Sequence, residues 1–153
     1  MSESDSTSSP IPGVTLTPLK IFEGELGSVM HGLRSDDSCF KGFGEVYFST
    51  VKTGAIKSWR RHFDVTLNLV VPLGEIRFVL CDDRQAGAPE FWDVFLSLKN
   101  YQRLTVAPNL WLAFQGVSSG TNMLMDLIDL PHDAQESETR SLEEIPFDWD
   151  SQS

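Results

Sequence analysis

The stretch Leu67-Asn68-Leu69-Val70-Val71-Pro72-Leu73-Gly74-Glu75-Ile76-Arg77-Phe78-Val79-Leu80 decides the fold class. Two apolar runs rich in β-branched residues flank Pro72-Leu73-Gly74, and each has the length of a strand rather than a helix. Pro72 presets its own φ and Gly74 supplies a position tolerant of φ > 0, so the stretch reads as strand, turn, strand. Outward from it the same pattern repeats. Strands are predicted over 44–51, 65–71, 75–82, 92–98, 101–106, 110–116 and 122–130, separated by Gly, Pro, Asn and Asp at intervals of about eight to twelve residues. Asn100 and the pair Pro108-Asn109 supply two further turns. No long amphipathic helix, internal repeat or heptad pattern competes, and antiparallel pairing of such strands in two packed sheets gives an all-β jelly roll.

Composition bounds the rest. The 153 residues carry 12 Lys and Arg against 22 Asp and Glu, a net charge of −10, and 41% are hydrophobic. A chain of this size buries roughly 70% of the surface its unfolded form exposes, without disulfides or a structural metal. Fibrous and wholly disordered classes are therefore excluded. No apolar run approaches the roughly 20 residues that span a bilayer, and Met1 to Pro10 lacks the basic start and apolar stretch of a signal peptide. A soluble, cytoplasmic protein is expected. Residues 126–153 hold nine acidic residues and one Arg, a net of −8, which leaves −2 for everything before them. The negative balance argues against nucleic acid and membrane surfaces as partners. Cys39 and Cys81 have neither a metal-type spacing nor a secretory context, and read as free thiols. The expected organisation is a disordered tail over 1–12, a single jelly-roll domain over 13–132, and an acidic tail over 133–153. That last segment is mostly solvated by composition and partly docked through Ile145-Pro146-Phe147-Asp148-Trp149.

Chemistry has few places to sit. The three histidines, His31, His62 and His132, lack metal-ligand spacing. There is no nucleophile elbow, phosphate loop or dinucleotide fingerprint, which removes the usual support for hydrolases and nucleotide triphosphatases. What remains is Lys57-Ser58-Trp59-Arg60-Arg61-His62. In an extended segment Arg60 and His62 share a face and Arg61 points away. Cations beside an imidazole suit a ligand with phosphate or developing enolate charge; the same cluster also reads as solvated charges at a strand end. Asn68 and Gln115 are polar residues on apolar strands, and if they face inward they imply a polar pocket. Trp59, Phe63, Trp111 and Phe114 are core or rim aromatics, or a platform on which a ligand ring stacks.

The run 74–84, with Lys57-x-Trp59-x-x-His62 before it and Leu104 to Trp111 after it, resembles the dTDP-4-dehydrorhamnose 3,5-epimerase family of cupins. The resemblance covers about residues 13–150 and is nearest to a short, divergent branch found in sugar-biosynthesis clusters. Met30 to Asp37, Ile128 to Asp133 and Ile145 to Trp149 also have counterparts there.

The resemblance implies a cupin jelly roll, or double-stranded β-helix, forming a homodimer. It would act on a dTDP-linked 4-keto-6-deoxyhexose without metal or organic cofactor, as a 3,5- or 3-epimerase. A proton leaves carbon next to the ketone and returns on the other face, which requires a base, an enolate stabiliser and an acid. The family's base position holds Arg60 here, and His62, two residues on and on the same face, matches the second His of a pattern in the divergent branch and in related sugar 3,4-ketoisomerases. His62 is the candidate base, with Arg60 and Asp126 beside it as catalytic candidates. Lys57 occupies a leading Arg position, and Lys57, Arg34, Asn68, Trp59 and Gln115 are the candidate substrate contacts. Met125 stands where the family has its acid Tyr, Leu26 stands where an Arg contacts nucleotide, and the carboxylate that orients the family's His comes from a C-terminal segment this chain is expected to lack. Asp126, Asp129 and Glu75 replace it by residue type only. These departures keep a second reading open, a non-catalytic cupin that binds a nucleotide-sugar or carbohydrate; a storage or regulatory cupin has no feature of its own in favour.

Overall fold

The computed structural model describes residues 7–151. Thirteen strands follow in chain order: β1 Thr7–Ser8, β2 Val14–Pro18, β3 Ile21–Gly24, β4 Gly27–Met30, β5 Glu45–Val51, β6 Ile56–His62, β7 Leu67–Leu73, β8 Glu75–Asp82, β9 Glu90–Ser97, β10 Gln102–Val106, β11 Trp111–Gly116, β12 Asn122–Ile128 and β13 Ser137–Thr139. A 3-10 turn, Ala134–Glu136, precedes β13. Among the described residues no helix is long and apolar enough to cross a membrane.

Two antiparallel sheets face each other, one ordered β1-β2-β10-β7-β12-β5 and the other β13-β6-β11-β8-β9, and β3 with β4 forms a separate ribbon. The turn that opens the sequence reading is not a hairpin. β7 pairs with β10 and β12, while β8 pairs with β11 and β9, so Pro72 to Gly74 carries the chain from one sheet to the other. Gly74 has φ +78°, and a Cβ there would sit 2.5 Å from the Thr121 carbonyl oxygen, so the crossing needs glycine on both counts.

Alternate residues explain the interior. Leu67, Leu69 and Val71 of β7 meet Ile76, Phe78 and Leu80 of β8, Leu112 of β11 and Leu124 and Ile128 of β12 in one core between the sheets. β8 shows no alternation in its apolar run because its other side is covered too. Trp59, Val79, Cys81, Trp111 and Ala113 form a second cluster on the outer face of the five-stranded sheet, packed under Leu142, Ile145, Phe147 and Trp149. The segment after β13 is thus a strap across that face rather than a mainly solvated tail. It is fixed by Arg77, whose guanidinium is paired with Asp93 at 2.7 Å, donates to the Trp149 carbonyl at 3.0 Å and stacks over Phe95 and Phe147.

The expected disordered segment 1–12 lies outside the described residues up to position 6. Beyond it, β1 pairs with β2, and Ile11, only 1% exposed, belongs to the core. A short Ser-rich run with one Ile gives no periodicity from which that burial is readable.

Candidate active site

β6 carries the basic cluster into the space between the sheets. Its register with β11 pairs Arg60 with Leu112 and Lys57 with Phe114, both inward-facing, and pairs Arg61 with Trp111, which faces outward. A shift of register lies between these pairs, so Lys57 and Arg60, three apart, share the inner face. They border a cavity of about 670 Å³ together with His62, Tyr47, Asp126 and His132.

His62 is only 9% exposed, and its Nδ1 lies 2.7 Å from Oε1 of Glu136 in the 3-10 turn. The other oxygen of Glu136 accepts from the backbone amides of Asp64 at 2.7 Å and Val65 at 3.0 Å. Burial alone would raise the Glu136 pKa, but the bonds from His62 and the two amides outweigh it and hold the carboxyl below its ordinary range. An anion so placed fixes the ring and leaves Nε2 as the nitrogen available to the cavity. The orienting carboxylate expected to be missing is therefore present, and it comes from Glu136 rather than Asp126, Asp129 or Glu75. Asp129 instead accepts from the Thr66 amide at 2.9 Å.

Two cations border the same space. Lys57 Nζ sits 5.8 Å from the centroid of the Phe114 ring, and Arg60 Nη1 donates to Ser137 Oγ at 3.0 Å. Among the described residues neither forms an ion pair with a carboxylate. Arg61, on the outer face, is held by Glu138 and lies 4.7 Å over the Trp111 ring.

The opposite wall comes from the six-stranded sheet. Asp126 faces inward from β12 and stands directly across from Tyr47 of β5 in the strand register. Tyr47 Oη donates to Asp126 Oδ2 at 2.9 Å, while Asp126 Oδ1 is buried with no hydrogen-bond partner among the described residues. Burial, aided by the charge of Glu45 and opposed by the Tyr47 bond, raises the Asp126 pKa to about 7. Burial first, then the charge and hydrogen bond of Asp126, raises that of the Tyr47 phenol well above its ordinary value, with Arg60 acting in the other direction. Met125, at the position of the family's Tyr, faces outward near Gly32.

Several sequence candidates lie elsewhere. Asn68 faces away from the cavity, accepting from Thr105 Oγ1 at 2.7 Å and donating to the Cys39 carbonyl under the loop before β5. Gln115 donates to the Gly54 carbonyl and does not line the cavity. Arg34 is exposed and bonded to both oxygens of Asp36, at 2.9 and 3.1 Å. Trp59 borders the cavity, but its indole lies in the outer cluster and donates to the Ile145 carbonyl at 2.9 Å. Strand alternation alone does not say which face is the inner one when both faces are covered, and this is why Asn68 and Gln115 mislead. Tyr47, Glu45, His132 and Glu136 are the cavity or support residues that the sequence reading passes over. One signal was available: β5 is inverted, with polar Glu45, Tyr47 and Ser49 at the cavity and apolar Val46 and Phe48 outside.

Fold and cavity together are those of an all-β jelly roll with a polar pocket between its two sheets. A dTDP sugar isomerase from Desulfovibrio desulfuricans G20 shares 34% of its sequence with this chain, over 94% of this chain and 95% of that one, and superposes with a TM-score of 0.87. The chain belongs to the dTDP-4-dehydrorhamnose 3,5-epimerase family of cupins. A probable low-salt glycan biosynthesis epimerase from Haloferax volcanii is 25% identical over 142 residues, 90% of this chain and 89% of its own. The epimerase of Legionella pneumophila Philadelphia 1, solved with dTDP-4-keto-L-rhamnose, is 15% identical over 95% of this chain and 82% of its own, and at a TM-score of 0.80 it shares the fold. No family model matches the chain.

Proposed function

We propose that the protein is a nucleotide-sugar epimerase or isomerase acting on a dTDP-linked 4-keto-6-deoxyhexose by proton transfer next to the ketone. The observation that carries this is the His62–Glu136 pair aimed into a cavity that also holds two cations, Lys57 and Arg60, without carboxylate partners among the described residues. His62 Nε2 takes the proton, and the electron pair it leaves is delocalised onto the keto oxygen. Glu136 stabilises the imidazolium that forms. Arg60 and Lys57 supply positive charge for the enolate oxygen or for the nucleotide phosphates. The Legionella epimerase solved with a dTDP-keto sugar and the Desulfovibrio dTDP sugar isomerase support the substrate class. Glu136 supplies the carboxylate whose absence would favour a purely binding cupin.

The homodimer is part of the same proposal. β5 is an edge strand whose outer face exposes Val46 and Phe48, at 41% and 62%, and Phe43 beside it is 64% exposed. An apolar face of that kind at an open sheet edge suits a second copy of the chain. A cytoplasmic location fits the free Cys39 and Cys81, and a place in polysaccharide biosynthesis fits the name of the Haloferax relative.

Incubation with dTDP-4-keto-6-deoxyglucose in deuterated water tests the reading, with label at carbons 3 and 5 followed by NMR. Label that enters with the native protein and is lost in His62→Ala is the expected result. Measurable binding with background exchange returns the protein to a binding role for this ligand.

A further inference from the structure

We propose that Tyr47 and Asp126 form a two-residue proton relay serving the sugar face turned away from His62, Tyr47 meeting the substrate and Asp126 refilling it. The inference rests on the epimerase reading above and adds the second half of its chemistry.

His62 stands on the five-stranded sheet, and Tyr47 and Asp126 stand on the six-stranded one, both bordering one cavity. Sheets packed face to face lie about 10 Å apart, enough for one sugar ring between them. A ring so held turns one face to the imidazole and the other to the phenol.

The pair is also ill-suited to a merely structural task. Asp126 is 5% exposed, and among the described residues it forms no ion pair and keeps one oxygen without a hydrogen-bond partner. A permanent carboxylate in that position is expensive, whereas a carboxylic acid is tolerated. Its pKa near 7 means that the acid form is well populated at neutral pH. Tyr47 by itself is a poor donor, since burial and the neighbouring carboxylate both disfavour a tyrosinate. Coupling removes the difficulty. If Asp126 holds its proton on Oδ2 and donates it to the Tyr47 oxygen, the phenolic hydrogen is free to point into the cavity, and the phenol never needs to carry charge.

The steps balance. His62 takes the proton from carbon, and the C–H electron pair moves onto the keto oxygen. When the pair returns, the carbon takes the Tyr47 hydroxyl proton on its other face, while the Tyr47 oxygen takes the Asp126 carboxyl proton. An imidazolium and a carboxylate remain; the first gives its proton to water, and the second takes one from solvent. The titratable groups facing Asp126 are Tyr47 and Glu45 from β5, Lys57, Arg60 and His62 from β6, and His132 after β12. β7 and β11 present only Leu67, Leu69, Leu112 and Phe114.

The test separates exchange from inversion, with dTDP-4-keto-6-deoxyglucose in deuterated water. In Tyr47→Phe, exchange of the carbon-bound proton stays within about threefold of the native rate because His62 still removes and returns it, while inverted product falls by about 100-fold or more. In Asp126→Asn, inversion falls by about 10- to 100-fold, and the native decline of inversion above about pH 7 disappears. Retained exchange is itself the proof that these variants are folded. Inversion by Tyr47→Phe within threefold of native overturns the relay and leaves His62 as base. Equal loss of exchange and inversion in both variants also overturns it and assigns the pair to holding the cavity open. Background exchange in the native protein refutes the epimerase reading for this substrate, and the relay with it, before any variant is made.

Discussion

Replacing Glu136 by Gln removes one charge and leaves the shape of the side chain. The carboxylate is 2.7 Å from His62 Nδ1, and both side chains are about one-tenth exposed, at 10% and 11%. Two unit charges about 4 Å apart interact by about 4 kcal/mol at an effective dielectric near 20, and a hydrogen bond to a charged group contributes about 1.5–3 kcal/mol net. The imidazolium that forms as His62 takes the proton should therefore lose about 2–3 kcal/mol of stabilisation, which is about 30- to 150-fold in kcat. KM should change little, since Glu136 does not border the cavity. The assay is deuterium exchange at the carbon next to the ketone under saturating substrate, beside thermal denaturation. The glutamine amide keeps one acceptor oxygen where the carboxylate has two, so it cannot serve both His62 and the Asp64 and Val65 amides, and Tm falls as well, by an amount worth about 1 kcal/mol. The carboxyl lies below its ordinary range in the folded protein, so its contribution to stability is present above the unfolded value of about 4.3 and is lost as pH falls through the lower folded value. E136Q should lack that acid-side loss. A folded E136Q with kcat within twofold of native would refute the assignment of Glu136 to His62.

Asp126 titrates with the opposite sign. Its folded pKa, about 7, lies above the unfolded value near 3.9, so stability is greatest below about pH 4 and declines as pH rises toward 7. Chemical denaturation of native protein and D126N across that range should show the slope in the first and a flatter curve in the second. On the apolar outer face of β5, Phe48→Glu should shift the protein from dimer to monomer in sedimentation velocity at micromolar concentration. A monomeric native protein, or an unchanged dimer in F48E, would remove that face as the interface.

The strands from Glu45 to Val51 and from Leu67 to Ile128 are legible because each is a short apolar run closed by a turn residue with a mechanical reason to be there. Gly74 at φ +78° and Asn109 at φ +71° are two such residues. β6 is harder to see. Ile56 to His62 is mostly polar and charged, and its strand character comes from pairing with β11 and β13, partners distant in sequence. The docking of the acidic segment was only half visible. Phe147 and Trp149 advertise apolar surface, but the receiving face, Trp59 with Trp111, appears only after the sheet is built. In the site, the shared face of Arg60 and His62 follows from strand period alone. Glu136 could not be found that way, since it lies 74 positions from His62 and acts through a turn with no apolar signature. Tyr47 was open to recognition by its place between Glu45 and Ser49 on one face of a strand, an arrangement a sealed core would not tolerate.

Every strand of the two sheets except β13 precedes Glu136 in the chain, so the sheet walls of the cavity, β13 aside, are built from residues up to Ile128 and the carboxylate on the histidine is supplied by the segment that follows. That one segment both completes the His62 pair and, through Phe147 and Trp149, seals Trp59 and Trp111 on the opposite side of the sheet. A chain cut after Pro131 would therefore lose the partner of His62 and uncover the outer apolar face in a single event.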